Sequence, residues 1–234
     1  LSSLTACDQF TPPGWAQSTG EASATATPTA TCSNFGYESV FSAYGSVHYT
    51  LVLASGLTMY VDMWTEQKAH EWYPDTDKQL NYVINVVDSH AEEDDPFRLK
   101  RRVYLGEISV QAETVQTSGE STVAYELDDD AVDLTLDPEA LRSKKYGLLV
   151  TSPKGGFQYQ KTEIGQVPED TKGLDMNFDL ELSTQDERGS KDYTTDNYKF
   201  TLPIAIFTQA TANDSTSCAS NATLEPEYAP SYEG

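Results

Sequence analysis

Three histidines, several carboxylate clusters, one dense basic segment and a scatter of aromatic rings are the side chains here that could do chemistry. No Gly-x-Ser-x-Gly elbow and no Ser-x-x-Lys pair offers an activated serine. His48, His70 and His90 lie far apart in the chain and lack the His-Glu-x-x-His spacing that sets two imidazoles on one metal, so no zinc site is expected. No phosphate loop occurs, and Lys154-Gly155-Gly156 reads as a turn between two strands. In Asp175-Met176-Asn177-Phe178-Asp179-Leu180-Glu181 oxygen ligands recur at every second position, which superficially suits calcium. Apolar residues fill the alternate places and the Gly of a calcium loop is missing, so the segment reads as the solvated face of a strand. Asp128-Asp129-Asp130 with Asp133 reads as a turn between strands, and Glu92-Glu93-Asp94-Asp95 as another. Carboxylates in succession repel one another without a cation or water, so either turn could gather Ca²⁺. The plainer reading is an acidic turn on an acidic protein, with no cofactor.

Arg98, Lys100, Arg101 and Arg102 form the one dense basic segment. Read as part of a strand over 97–105, it puts Arg98, Lys100 and Arg102 on one face and Arg101 on the other. The acidic turn just before it is expected to neutralise it; the functional reading is a docking patch for an anionic wall polymer or an acidic partner. Trp64, Trp72 and Tyr73 fall on an outward register or in the loop that follows, where exposed rings would stack on sugars or on a partner's surface. Alternatively, the Glu71-Trp72-Tyr73-Pro74 loop folds over a sheet end and caps the core. Lys and Arg together number 15 against 37 Asp and Glu, a net charge of −22 that repels nucleic acid, whose binding needs phosphate neutralisation.

The chain opens Leu1-Ser2-Ser3-Leu4-Thr5-Ala6-Cys7, and Leu4-Thr5-Ala6-Cys7 resembles the lipobox of bacterial lipoproteins: an aliphatic residue, two small ones, then Cys. The resemblance covers these four residues and implies a diacylglycerol on the Cys7 thiol, cleavage after Ala6, and a membrane anchor on the outer side of the cell. Residues 1–6 are then a signal-peptide remnant. Residues 7–31, rich in Thr, Ser, Ala and Pro without an apolar face, read as a flexible tether. Two or three acyl chains anchor a protein without a transmembrane helix, and no run approaches the roughly 20 apolar residues a span needs. Cys32 and Cys218 then remain as a predicted disulfide bracketing the folded domain, 32–218, with 219–234 a polar tail.

The elements that must position these side chains are strands. Leu174, Met176, Phe178, Leu180 and Leu182 alternate with polar residues, as do Tyr198 to Ile206 and Leu57 to Met63; a helix would scatter them around its circumference. Further strands are expected over 47–53, 80–88, 97–105, 107–115, 122–127, 131–136, 146–152 and 156–162. Helical turns are expected from Asp137-Pro138 and over 65–71. Pro203 places its strand at an edge or on a bulge. Many strands with one wet face imply an all-β, two-sheet antiparallel sandwich of immunoglobulin-like or jelly-roll type. Three functions are compatible with this reading: a non-catalytic surface sandwich binding a partner or serving as an envelope scaffold, a carbohydrate-binding module on the aromatic rings, and a glycan-active hydrolase with paired carboxylates.

Overall fold

The computed structural model describes residues 32–34, 37–53, 56–92 and 95–208. Cys7, the tether, Cys218 and the tail lie outside them, and the Cys32–Cys218 pairing therefore does too.

Within the described residues the chain forms β1 (Cys32–Asn34), β2 (Tyr37–Ser39), β3 (Ser46–Leu53), β4 (Leu57–Trp64), β5 (Lys78–Asp88), β6 (Val103–Gln116) and β7 (Val123–Asp130). After a helical turn α1 (Ala131–Leu134) come β8 (Arg142–Ser143), β9 (Gly147–Leu149), β10 (Phe157–Ile164), β11 (Thr171–Gln185) and β12 (Tyr193–Ala205). A four-stranded sheet runs β10-β5-β4-β3, and a six-stranded sheet runs β12-β11-β6-β9-β8 with β7 also on β6; every strand pair is antiparallel. The fold is an all-β sandwich.

Period-two burial drives this architecture. Met59, Val61 and Met63 of β4 are buried, and so are Met176, Phe178 and Leu180 of β11, while the residues between them face water. The inner faces meet in one core, where Phe178 stacks on Phe200 at 4.8 Å, Tyr49 stacks on Phe200 at 5.1 Å and Tyr82 meets Phe178 edge-on at 5.7 Å. Such aromatic pairs add about 0.5–1.5 kcal/mol each beyond the area they bury. Pro203 lies in β12, the edge strand, as expected, and its carbonyl accepts from Val40 N–H at 2.9 Å. Beside it, the Tyr37 ring lies on the backbone of Gly173, where a Cβ would come within 2.0 Å of the ring. Its hydroxyl donates to Asp175 Oδ1 at 2.6 Å, fastening β2 to β11.

Three local expectations are corrected. Residues 97–105 and 107–115 are not two strands: a 3₁₀ turn at Phe97–Leu99 is followed by the single long strand β6. The register between β6 and β11 slips from Ile108↔Leu180 to Leu105↔Leu182, a bulge that places Gly106 and Glu107 opposite Glu181. Residues 131–134 form α1 instead of a strand, with Ala131 buried and the Thr135 N–H bonded to the Ala131 carbonyl at 3.1 Å. The Asp137 carboxylate does accept the Glu139 N–H at 2.9 Å, but only a turn follows.

The two sheets are tied at both ends. After β9 the chain leaves the six-stranded sheet: Val150 donates to Val103 at 2.9 Å and accepts from Val86 of β5 at 2.8 Å. At the opposite end the loop after β4 closes the core, where Lys78 is fully buried. Its ammonium donates to the carbonyls of Thr76 at 2.6 Å and Gly165 at 3.2 Å. Burial pushes the Lys78 amine down to about 8, partly opposed by Asp77 and Asp75. The unfolded chain holds that proton up to the ordinary lysine value of 10.5, so stability should climb as pH rises from about 8 to 10.5. Urea titrations of the wild type and Lys78→Met test this. The variant should lack the Lys78 component of the climb; identical pH profiles would contradict the linkage.

Candidate functional site

The strands present two outer faces of opposite character. On the six-stranded sheet the outward positions of β7, β6 and β11 carry Glu126, Asp128 and Asp130, Glu107 and Glu113, and Asp175, Asp179 and Glu181. Lys199 of β12 answers one of them, pairing with Asp179 at 2.6 Å. Glu107, Ser109, Asp128, Asp179, Glu181 and Asn197 line a shallow depression of about 210 Å³. That is below the roughly 300–1,000 Å³ of a typical substrate pocket. Self-repulsion across this face should be relieved by screening. Raising KCl from about 0.1 to about 1 M shortens the screening length from roughly 10 to 3 Å. The denaturation midpoint should rise with it, and a midpoint that stays flat or falls would contradict the repulsion.

The outward positions of β3, β4 and β5 contain one carboxylate, Asp62. Around it stand Tyr60 and Trp64, both half-buried, with Val83, Asn85 and Val52, the last 48% exposed. The His48 and Tyr60 rings stack at 5.3 Å, and His48 Nδ1 bonds to Asp62 Oδ1. That hydrogen bond raises the His48 pKa, against an opposing effect of burial and with further help from the Asp62 charge. The result is a flat surface of rings, amides and β-branched side chains, almost without charge.

A third feature sits at the end of the six-stranded sheet where β6 begins. Tyr104 of β6, Tyr193 of β12 and Tyr146 of the β8–β9 turn cluster on the outer face, with Tyr146 stacked on Tyr193 at 4.3 Å. Lys145 Nζ lies 4.6 Å over the Tyr146 ring and donates to its hydroxyl at 2.9 Å. Burial raises the Tyr193 pKa, helped by Tyr104 and opposed by the Arg102 charge beside it.

The expected site residues separate against this geometry. Trp64 is outward, as its register required. Trp72 is not a surface ring: it is fully buried, meets Phe41 edge-on at 5.5 Å, and its carbonyl accepts from Phe207 N–H at 2.8 Å. Tyr73 is partly buried and packs on the same core. The loop therefore caps the sheet end, and neither residue forms an open platform with Trp64. Arg98, Lys100 and Arg102 do not share a strand face, because residues 97–102 precede β6. Arg98 and Arg102 are exposed, whereas Lys100 is buried.

Nor does the acidic turn at 92–95 supply Arg101's partner: it is Asp88, fully buried, with Arg101 Nη2 to Asp88 Oδ1 at 3.0 Å. Glu93 and Asp94 lie outside the described residues. Asp128, Asp129 and Asp130 end strand β7 instead of forming a turn, and Asp133 lies on α1; all four are exposed. Among the described residues no three His, Cys, Asp or Glu side chains converge to hold a metal ion. As residues of a strand, Asp128 and Asp130 point to one face of the sheet and Asp129 to the other, instead of converging as they would in a turn. No helix among them is long and apolar enough to cross a membrane.

Sequence reasoning missed the tyrosine cluster. Its signal was the outward parity of Tyr104 between the buried Val103 and Leu105; Tyr193 stands at the start of β12, where Thr194 to Asn197 are all exposed and no alternation announces its face, and their meeting depends on the pairing register. Neither a protein-family model nor a curated protein matches the chain.

Proposed function

We propose that the chain is a lipid-anchored surface protein, held through Cys7, whose sandwich binds a partner without catalysing a reaction. Its binding face is the outer face of β3, β4 and β5 in the four-stranded sheet, bordered on β10 by the exposed Glu163. One observation carries this: on a chain of net charge −22, the outward positions of β3, β4 and β5 hold a single carboxylate. A surface meant only to stay solvated would carry acids there, as the opposite sheet does. Rings and uncharged side chains are instead cheap to desolvate and suit a binding interface.

The partner reading is preferred to a hydrolase because the carboxylates of the opposite face line an open depression. It has no apolar wall to desolvate a general acid. A carbohydrate-binding reading of the same face rests on Trp64 and Tyr60 flanked by the Asn81 and Asn85 amides. Retention of the wild type on a neutral polysaccharide, lost in Trp64→Ala, would identify the partner as a glycan.

The anchor and the face are tested together in native-host cells. Cys7→Ala should release the chain from the membrane fraction into the medium. A photo-crosslinking residue at Tyr60 should give adducts that the same residue at Glu126, on the acidic face, does not. A chain still membrane-bound without Cys7, or equal adducts at both positions, would overturn the proposal.

A further inference from the structure

We infer that Tyr104, Tyr146 and Tyr193, with Arg102 and Lys145, form a second binding site whose ligand is an anionic glycan, a chain of sugars bearing carboxylate or sulfate groups. It lies on the other sheet from the four-stranded face and does not depend on that face's role.

The cluster has a placement that the core does not explain. Tyr104 and Tyr193 point outward from β6 and β12, on either side of β11, and Tyr146 reaches them from the β8–β9 turn, with ring centroids 4.3, 5.9 and 6.0 Å apart. All three rings are half-buried on the solvent side of the sheet. The neighbouring core is filled by the inward Val103, Leu105 and Leu182, each fully buried. Tyrosines gathered there keep apolar rings and phenolic hydroxyls at the surface, where both can be used.

Charge then selects the ligand. This end of the sheet concentrates cations on a chain that otherwise has few. Arg102 is exposed beside Tyr193, Lys145 lies against Tyr146 and Lys144 is exposed next to it, whereas the turn between β11 and β12 brings Arg188 and Lys191 together with the exposed Asp186, Glu187 and Asp192 and adds no net positive charge. A guanidinium holds a carboxylate or sulfate through two parallel hydrogen bonds, and an ammonium adds a second point of charge. The occupant is therefore an anion with flat apolar surface to lay on the rings. An acidic protein would bring a second large negative surface within a screening length of a −22 chain. A glycan strand is narrow, so it brings to the rings only the few charges that reach the cations and lays no second broad acidic surface against the chain. Glu107 and Glu181 border the cluster across the β6 bulge and would repel an anion running along the whole sheet. The glycan must therefore cross this end of the sheet, or be held by its terminus.

Titration of the full chain at about 0.15 M salt with polygalacturonate, chondroitin sulfate, dextran and polyglutamate tests this. The inference requires binding of polygalacturonate or chondroitin sulfate, no binding of dextran, and weaker binding of polyglutamate. Arg102→Gln and Tyr193→Ala should each weaken binding about tenfold, the scale of one lost charge-assisted or stacking contact. Both are surface changes and should leave the melting temperature in place; Tyr193→Leu serves if Tyr193→Ala does not. Failure of both anionic polysaccharides, equal binding of dextran, or affinities unmoved by the substitutions would overturn the assignment. Polyglutamate binding as tightly would also overturn it and point to an acidic protein.

Discussion

Arg101→Met should destabilise the fold by about 3–5 kcal/mol in urea unfolding at neutral pH, because it leaves a carboxylate buried without its counter-charge. Asp88 is fully buried at the end of β5. Its oxygens accept from Arg101 Nη2 at 3.0 Å, Arg101 Nε at 3.3 Å, and the backbone N–H groups of Arg101 at 3.0 Å and His90 at 3.2 Å. The pair joins the last residue of a strand in one sheet to the segment that opens β6 in the other, so its loss loosens the corner where the sheets meet. Asp88→Asn added to Arg101→Met should restore much of the loss, since the amide oxygen can still accept the backbone N–H groups while the unpaired charge is gone. Burial alone would raise the Asp88 pKa, but the Arg101 bonds, the His90 N–H and the guanidinium charge together hold it below its ordinary value of 3.8. The stabilisation is thus fully present above about pH 4 and is lost as pH falls through the lower, folded-state value. Wild type should hold its stability to lower pH than Arg101→Met does. A cost under about 1 kcal/mol for Arg101→Met would mean that water reaches the pair and screens it.

Trp72→Ala should cost about 3–5 kcal/mol, the usual loss for emptying a large aromatic site in a packed interior. Trp64→Ala should cost under about 1 kcal/mol, as a partly exposed side chain does. The two tryptophans lie eight positions apart, yet one ring is sealed against Phe41 and the other stands on the outer face of the four-stranded sheet. Trp72 Nε1 is buried without a hydrogen-bond partner, so Trp72→Phe, which removes the donor and keeps a ring, should be far milder than Trp72→Ala. Comparable melting temperatures for Trp72→Ala and wild type would show that the loop does not cap the core.

The sandwich was legible because burial alternates with period two in strands as long as β11 and β12, and that pattern survives any pairing. Where the pattern is short, it fails. Val132 and Leu134 satisfy a strand period within so few residues that one helical turn accommodates them equally well. Along 97–102 the alternation of Arg98, Lys100 and Arg102 lacks apolar partners strong enough to specify a strand, and a 3₁₀ turn takes its place. The outward register of Trp64 could be read from its strand, but the burial of Trp72 could not, because it depends on Phe207 returning from the far end of the chain. Asp88 and Arg101 were missed for the same reason. Sequence proximity points to the adjacent acidic turn, whereas a buried ion pair is made by whichever carboxylate the tertiary corner delivers. The tyrosine cluster joins residues from three separate stretches, and only the register of β6, β11 and β12 brings them together.

The most direct test of a weakly charged binding face on an acidic chain is co-sedimentation of the released Cys7→Ala protein, purified and concentrated far above its dilution in the medium, with an excess of envelopes of its native host. Trp64 and Tyr60 are intact in one sample and both replaced by Lys in the other. The account predicts that the intact chain sediments and that the doubly charged face loses about tenfold in affinity, with its melting temperature held within a few degrees. Equal sedimentation of the two chains, or a loss that follows Glu126→Lys on the acidic sheet instead, would contradict it.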